Sequence, residues 1–340
     1  MAGGTRAIDF PVVMPAQAAN AGLADAFAAT ISADGSTLDY STYFGGSQDD
    51  GALGATLDSE GNLIFVGQTW SGDFPNAAGQ QLPFTYGNAF VVRVAAPGPP
   101  SITSVLNGAS FLPGIEAGSW AMIQGVNLAN TYPGATWTAS EIVNGNLPTS
   151  LDGVSVTIDG QPAFVYYVSP TQINVQVPSD NKVGDVQMVV KNNGAVSAPA
   201  MVQLQKLAPA FFMYLGTNYA IASLLPDYSL VGNPTVLPGT VAAHPGDTLT
   251  LWGTGFGATN PPTPAGMTVT GMPAVATLPT AAVGGVPAQV MGAYLTAGSA
   301  GLYQVTIQLP ATVPTGPVAV QASVGGIETP ADVLIFVSQP

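Results

Sequence analysis

The chain has 340 residues, 47% of them hydrophobic and only 7% charged, and five Lys and Arg against nineteen Asp and Glu give a formal net charge of −14. Five bases cannot neutralise a phosphate backbone or grip an anionic lipid surface, so nucleic acid and anionic membranes are excluded as partners. With no Cys and one His, structural zinc, iron–sulfur clusters and thiolate catalysis are excluded as well. No apolar run reaches the about 18 residues that membrane insertion needs, and residues 1–20 lack a basic start followed by an apolar core, so no signal peptide is expected in this chain.

In chain order, the best helical candidate is Ala16–Ala29, rich in Ala but interrupted by Gly22. Around it lies a short repeat: Asp9-Phe-Pro11 recurs as Asp73-Phe-Pro75 and Asp25-Ala-Phe27 as Asn88-Ala-Phe90, at a spacing of about 64 residues. That is the period of one propeller blade of four strands and a long loop. Beyond residue 100 the pattern is short strands between Gly, Pro, Asn and Asp turns. Val154–Ile158 alternates and runs through Asp159-Gly160 into Ala163–Val168. Ile173–Val177 stops at Pro178, and Val186–Val190 precedes Asn193-Gly194. Leu249–Trp252, Gln289–Tyr294, Tyr303–Leu309 and Val318–Val324 repeat the style. Such strands and turns predict β-sandwich modules.

The sandwich region is itself duplicated. The segment Gly118–Gly125 resembles Gly246–Gly253, and Gly160-Gln-Pro-Ala163 resembles Gly285-Val-Pro-Ala288. Val175-Gln-Val-Pro178 resembles Ile307-Gln-Leu-Pro310, and Val183-Gly-Asp-Val186 resembles Thr315-Gly-Pro-Val318. Four matches in order, at a spacing of about 125–132 residues, mark two tandem copies of one fold. The expected architecture is all-β: a blade-like β-sheet module over 1–97, one Ig-like sandwich over 98–208, and a linker with a second Ig-like sandwich over 209–340.

Tyr40-Ser-Thr-Tyr-Phe-Gly-Gly46, Asp49-Asp50, Asp58-Ser-Glu-Gly-Asn62, Phe65-Val-Gly67 and Asp73-Phe-Pro75 resemble the bacterial SBBP-type β-propeller repeat, over about 9–95. Val105–Phe111, Pro113-Gly114, Gly118-Ser119, Leu151–Val154 and Tyr167–Asn174 followed by Val177-Pro178 resemble a C-terminal domain of acidobacterial-type secreted proteins, over about 101–206. The second copy, about 238–338, resembles a generic IPT/TIG-type sandwich. These resemblances imply a secreted or cell-surface bacterial protein and transfer no catalytic residue. A single propeller repeat leaves open strand edges, and open edges template strand addition.

Candidate chemistry is sparse. His244 with Asp247 forms a base–orienter pair without a nucleophile elbow to serve, which favours a turn histidine over a catalytic one. No cofactor is expected; Asp49, Asp50, Asp58 and Glu60 are only weak candidate ligands for Ca²⁺, a hard ion that takes carboxylate and carbonyl oxygens. Their spacing fits no EF-hand loop, and Asp58–Asn62 reads first as a hairpin turn. Trp70, Trp120, Trp137, Trp252, Tyr132, Tyr166 and Tyr167 are candidates for a sugar-stacking platform. Trp120 and Trp252 fall on equivalent strands and are expected in the cores, while Trp70 and Trp137 fall in loops, where Trp marks contact surfaces. Together with Ile8, Phe10, Val12 and Val13 of the N-terminal segment, these two loop tryptophans are the interface candidates.

No enzymatic activity is expected. The sequence favours a structural subunit that self-associates through its N-terminal strand region into an extracellular filament or surface layer, its partners being other copies of itself. The main alternative is a carbohydrate-binding or adhesive module, with glycans as partners and exposed aromatics in a row. A glycoside hydrolase or lyase would require convergent carboxylates in a cleft.

Overall fold

The computed structural model describes all residues except 33, 34, 36, 37, 60, 76–86, 95–97 and 340. The module boundary expected at 97 therefore lies outside the described residues. The protein is all-β; among the described residues the only helical element is a 3₁₀ turn at Ala139–Glu141. No helix there is long and apolar enough to cross a membrane. The chain forms two compact units. One comprises Met1–Pro100 with Asn127–Ala135 and Ser169–Thr171, and the other comprises Ser101–Val126, Thr136–Val168 and Gln172–Pro340.

The first unit contains two three-stranded antiparallel sheets. Strands β1 (Ala2–Thr5), β2 (Asp25–Ile31) and β3 (Leu38–Phe44) make one, and β4 (Asp50–Leu57), β5 (Leu63–Thr69) and β6 (Asn88–Val94) make the other. Neither sheet can bury a face alone, so the two share a core of Ala26, Ala28, Tyr40, Leu63, Phe65 and Phe90. Phe65 is fully buried, with Phe44 and Phe90 rings at 5.8 and 6.0 Å in edge-on contact. Strand β5 alternates strictly, Leu63, Phe65, Gly67 and Thr69 inward, as a half-buried strand must.

The helix expected at Ala16–Ala29 does not form. Residues 16–24 are irregular, and Asp25–Ile31 is the central strand of its sheet, paired with β1 on one side and β3 on the other. Alanine's helix propensity is worth only tenths of a kcal/mol per residue, less than two ladders of hydrogen bonds and a buried face. The N-terminal segment proposed for strand addition is occupied in cis: Ala2 to Thr5 pair with Ala28 to Asp25.

The second unit holds both sandwiches. In the first, β7 (Ser101–Asn107), β9 (Trp120–Val126), Gln172–Gln176 and Phe164–Val168 form one sheet; Val154–Ile158, Gly184–Asn192, Ala200–Gln205 and the two-residue β8 (Ile115–Glu116) lie in the other. The duplication read from sequence is a duplication of register. Val175 pairs with Ala121 in the first copy and Ile307 with Leu249 in the second. Gly118 and Gly246, each before the equivalent strand, both have positive φ, +82° and +88°.

The two copies cross between sheets differently. After the Asp159-Gly160 turn (φ 50° and 74°) the first copy pairs for only two residues before Phe164–Val168 enters the other sheet. In the second copy a single strand, Val286–Leu295, pairs with Thr280–Val283 at its start and with Tyr303–Gln308 along the rest, so its sheet curls continuously. The cores are aliphatic: Ile123, Val156, Val175 and Met188 in one, Leu251, Val305, Ile307 and Val320 in the other, with Phe256 added in the second.

Truncating Phe65 to Ala empties the centre of the N-terminal core. Chemical denaturation of Phe65→Ala is expected to show that unit destabilised by about 3–5 kcal/mol, whereas Phe10→Ala, at a half-buried rim position, costs less.

Candidate functional site: an aromatic cleft between the sandwiches

The sites begin from a junction of buried polar groups within the second unit. Trp120 opens β9; its backbone N–H donates to Thr254 Oγ1 at 3.0 Å, and its indole Nε1–H donates to the Ala300 carbonyl at 2.8 Å. Thr254, fully buried, in turn donates to Gly301 O at 3.0 Å. Gln176 accepts from Gly266 N at 2.9 Å and donates to Gly118 O at 2.9 Å. Gly266, at φ +80°, must be Gly, because a Cβ there would lie 2.0 Å from Phe164 Cζ.

Glu116 is the second part of the junction. It is 5% exposed, and its carboxylate accepts from Ala208 N at 2.8 Å and Gly257 N at 2.9 Å. Asn107 Nδ2 donates to the Ala208 carbonyl, and the Tyr303 hydroxyl donates to the Gly257 carbonyl. Ala208 and Gly257 are thus each held through both the backbone N–H and the carbonyl. Burial pushes the Glu116 pKa up to about 7 against the two backbone donors that favour its ionised form. Burial first and the Glu116 charge second push the Tyr303 phenol up as well.

Beside this junction three aromatic rings meet. Trp120 and Trp137 have centroids 6.0 Å apart, Trp120 and Tyr166 5.6 Å, and Trp137 and Tyr166 4.8 Å, with interplanar angles of 51°, 67° and 69°. Trp137 N–H donates to the Tyr166 carbonyl at 3.2 Å, which fixes the loop that carries it. The register of Phe164–Val168 against Gln172–Gln176 slips between Val165 and Tyr167, so Tyr166 is the bulged residue. A bulge re-aims its side chain out of the alternation, and Tyr166 stands 39% exposed. The rings line a cleft of about 420 Å³ completed by Phe212, Asn174 and Ser299. None of its lining residues is charged. Larger clefts of about 650 and 780 Å³ elsewhere on the junction lack such a ring cluster; the first has Glu116, Asp180 and Tyr303 in its lining beside Gly, Thr, Pro and Lys residues, and the second is lined mainly by aliphatic and small residues with Phe256.

The residues singled out from sequence fall in separate places. Asp49 pairs with Arg6 at 3.3 Å, and Asp58 with Arg93 at 3.0 Å while also accepting from the Asn62 side chain. Asp50 is buried and accepts from Gly46 N and Ser71 Oγ. Glu60 lies outside the described residues. Among the described residues no three Asp, Glu or His groups converge. His244 Nδ1 stands 3.5 Å from Asp247 Oδ2 in the turn before Thr248–Thr254.

Among the interface candidates, Ile8 is 88% exposed. Phe10 packs on Phe27 and Tyr43, Val12 is half-buried, and Val13 bridges Ser41. Trp70 is half exposed, against Gly87. Trp137 is in the cleft. Trp120 and Trp252 are on equivalent strands but not in the cores: both are half-buried, because each indole N–H reaches sideways for a partner, Ala300 O or Ser223 Oγ. Sequence reasoning missed Glu116 and Ser299, which carry no motif, and met Asn174 only as the end of a family motif; their place in the junction and the cleft depends on residues far along the chain.

Residues 100–205 match the IPT/TIG domain family. The match falls on the first of the two tandem sandwiches for which an Ig-like, IPT/TIG-like architecture was expected over about 101–338. No curated protein matches the chain. Solved structures similar to it include the surface glycan-binding protein PbSGBP-B of Prevotella bryantii, at 13% identity, covering 68% of this chain and 41% of that one, with a TM-score of 0.21. They also include SGBP-B of the Bacteroides ovatus mixed-linkage glucan utilization locus, bound to a heptasaccharide, at 11% identity, 82% and 54% coverage and a TM-score of 0.32. A third is the surface-layer protein SbsC, domains 4–9, at 11% identity, 100% and 47% coverage and a TM-score of 0.20. The chain spans about half the length, or less, of each of these structures.

The Glu116 clamp makes stability depend on pH in a defined sense. Its folded pKa of about 7 lies above the unfolded value, so the folded state holds the proton more tightly. The stabilisation is complete below the unfolded pKa and is lost as pH rises through about 7. Denaturant titrations at acidic and mildly alkaline pH are expected to show roughly 3 kcal/mol of this loss. Glu116→Gln should remove that part of the pH dependence, and because its amide nitrogen cannot accept from Ala208 N or Gly257 N it should be less stable than the wild type at acidic pH.

Proposed function

We propose that this chain is a non-catalytic carbohydrate-binding or adhesive module that works at the bacterial cell surface or outside the cell, and that the Trp120–Trp137–Tyr166 cleft holds the sugar. The observation that carries this reading is the ring cluster itself, partly exposed and held by hydrogen bonds rather than buried as core. Pyranose rings present apolar C–H faces and a rim of hydroxyls. Aromatic walls suit the faces, and Asn174 and Ser299 are placed among the walls to meet hydroxyls. An uncharged lining on a protein of net charge −14 favours a neutral glycan over an acidic one. A cleft without a carboxylate offers neither the acid nor the base that glycoside hydrolysis needs.

A second reading, self-association into a surface assembly, is favoured by one observation. Val66 and Val91 pair across β5 and β6 and are 42% and 74% exposed, with Leu53, at the bulge of β4, 76% exposed. An apolar sheet face of this kind marks a contact surface.

Affinity electrophoresis against neutral polysaccharides tests the first reading. Trp137→Ala and Tyr166→Ala should each weaken retardation by about tenfold or more, while Trp70→Ala leaves it unchanged. Absence of binding across neutral glucans, mannans and xylans would remove this reading. Sedimentation velocity tests the second: an assembly of the wild type that Val66→Lys and Val91→Lys disperse supports it, and a monomer in every case rules it out.

A further inference from the structure

The N-terminal unit buries two carboxylates that its own cations do not neutralise. Asp25 opens β2 and is fully buried; Asp50 opens β4 and is 3% exposed. The two strand starts are laced together, with Asp50 N donating to Ala24 O at 2.6 Å. One oxygen of each carboxylate is satisfied. Asp25 Oδ2 accepts from Gln17 Nε2 at 2.6 Å and Ala21 N at 3.0 Å. Asp50 Oδ2 accepts from Gly46 N at 2.7 Å and Ser71 Oγ at 2.8 Å. The other oxygen of each, Asp25 Oδ1 and Asp50 Oδ1, is buried and accepts nothing among the described residues.

These groups face one another across Gly45. A Cβ on Gly45 would sit 2.6 Å from Asp25 Oδ1 and 2.8 Å from Asp50 Oδ2. Asp25 Oδ1 and Asp50 Oδ2 are therefore at most about 5.4 Å apart, so the unpartnered oxygen of Asp25 lies within one ion's reach of the Asp50 carboxyl group, at about 2.3–2.6 Å per ligand oxygen. Burial first, then the neighbouring Asp50 charge, raises the Asp25 pKa against its two hydrogen bonds.

Charge accounting points the same way. The only Lys or Arg residues before position 182 are Arg6 and Arg93, and they pair with Asp49 and Asp58. An uncompensated buried carboxylate costs several kcal/mol, and two within mutual reach cost more. The donors on offer are all oxygens on strand starts and glycine loops. That chemistry suits a hard cation with a tolerant coordination shell, Ca²⁺, over Mg²⁺, which demands a near-ideal octahedron.

We propose that Asp25 and Asp50 form a Ca²⁺ site that ties the start of β2 to the start of β4. It differs from the ligand set expected from sequence, of which only Asp50 takes part. It is independent of the glycan reading, since all of its groups belong to the N-terminal unit.

Equilibrium dialysis of the intact, EDTA-treated chain against CaCl₂ is the test, with MgCl₂ as comparator. One Ca²⁺ per chain is expected, at up to about millimolar dissociation constant as in extracellular modules, with a higher thermal midpoint in Ca²⁺. Asp25→Asn and Asp50→Asn should each weaken uptake by about tenfold or more, and Asp58→Asn should leave it unchanged. Should either Asn variant fail to fold, ¹³C-carboxyl NMR of the wild type reads the same question: Ca²⁺ is expected to shift the Asp25 and Asp50 signals. No uptake at about 1 mM Ca²⁺, uptake indifferent to both Asn variants, or carboxyl signals that ignore Ca²⁺ would overturn the proposal.

Discussion

The hydrogen bonds from Trp120 to Thr254 and Ala300 tie the first residue of β9 to the second sandwich, and the cleft depends on them. A chain with 7% charged residues has few ion pairs with which to join modules. It joins them through buried side chains that each satisfy backbone groups, and such groups are costly to leave unmade. Thr254, Gln176, Glu116 and Asn107 each reach a peptide group far along the chain. The result is a junction with geometric demands that an oily interface would not impose. Trp120 serves twice, its N–H groups locking the junction and its ring forming one wall of the cleft. The bulge at Tyr166 then adds a ring that regular alternation would have placed elsewhere.

The same scarcity of charge shapes the N-terminal unit differently. Its aromatic core is ordinary packing of Phe44, Phe65, Phe74 and Phe90. Its two arginines are spent on partly exposed partners, Asp49 and Asp58, pairs worth little to stability. The carboxylates that matter energetically, Asp25 and Asp50, are the ones without a basic neighbour among those pairs. Glycines make their approach feasible: Gly45 and Gly46 lie where any side chain would collide with Asp25, Asp50, Ser71 or Asp73. The Phe-Gly-Gly of the sequence motif is in this sense a packing requirement of buried acids.

Much of the fold was legible. Alternation and turn residues located Val154–Ile158, Phe164–Val168 and Gly184–Asn192 to within a few residues, and Asp159-Gly160 and Asn193-Gly194 adopt the positive φ that their pairing implied. The tandem repeat anticipated matching register, Val175 on Ala121 and Ile307 on Leu249. The helix at Ala16–Ala29 was misread because propensity is local and the strand pairing that overrides it is not. Of the cleft, Trp137 and Tyr166 were noticed as aromatics, but Trp120 was assigned to a core. Nothing in its neighbours announces that the indole N–H bonds to a carbonyl 180 residues away.

The sequence by itself determined the all-β class, the duplication and the turn positions. These follow from composition, period and local backbone preference, which are properties of short stretches. Which aromatics share a cleft, which carboxylates are buried together and which glutamate is held near neutrality were decided by tertiary structure alone. Burial and juxtaposition depend on pairs of residues tens to hundreds of positions apart, and no local pattern encodes the distance between them.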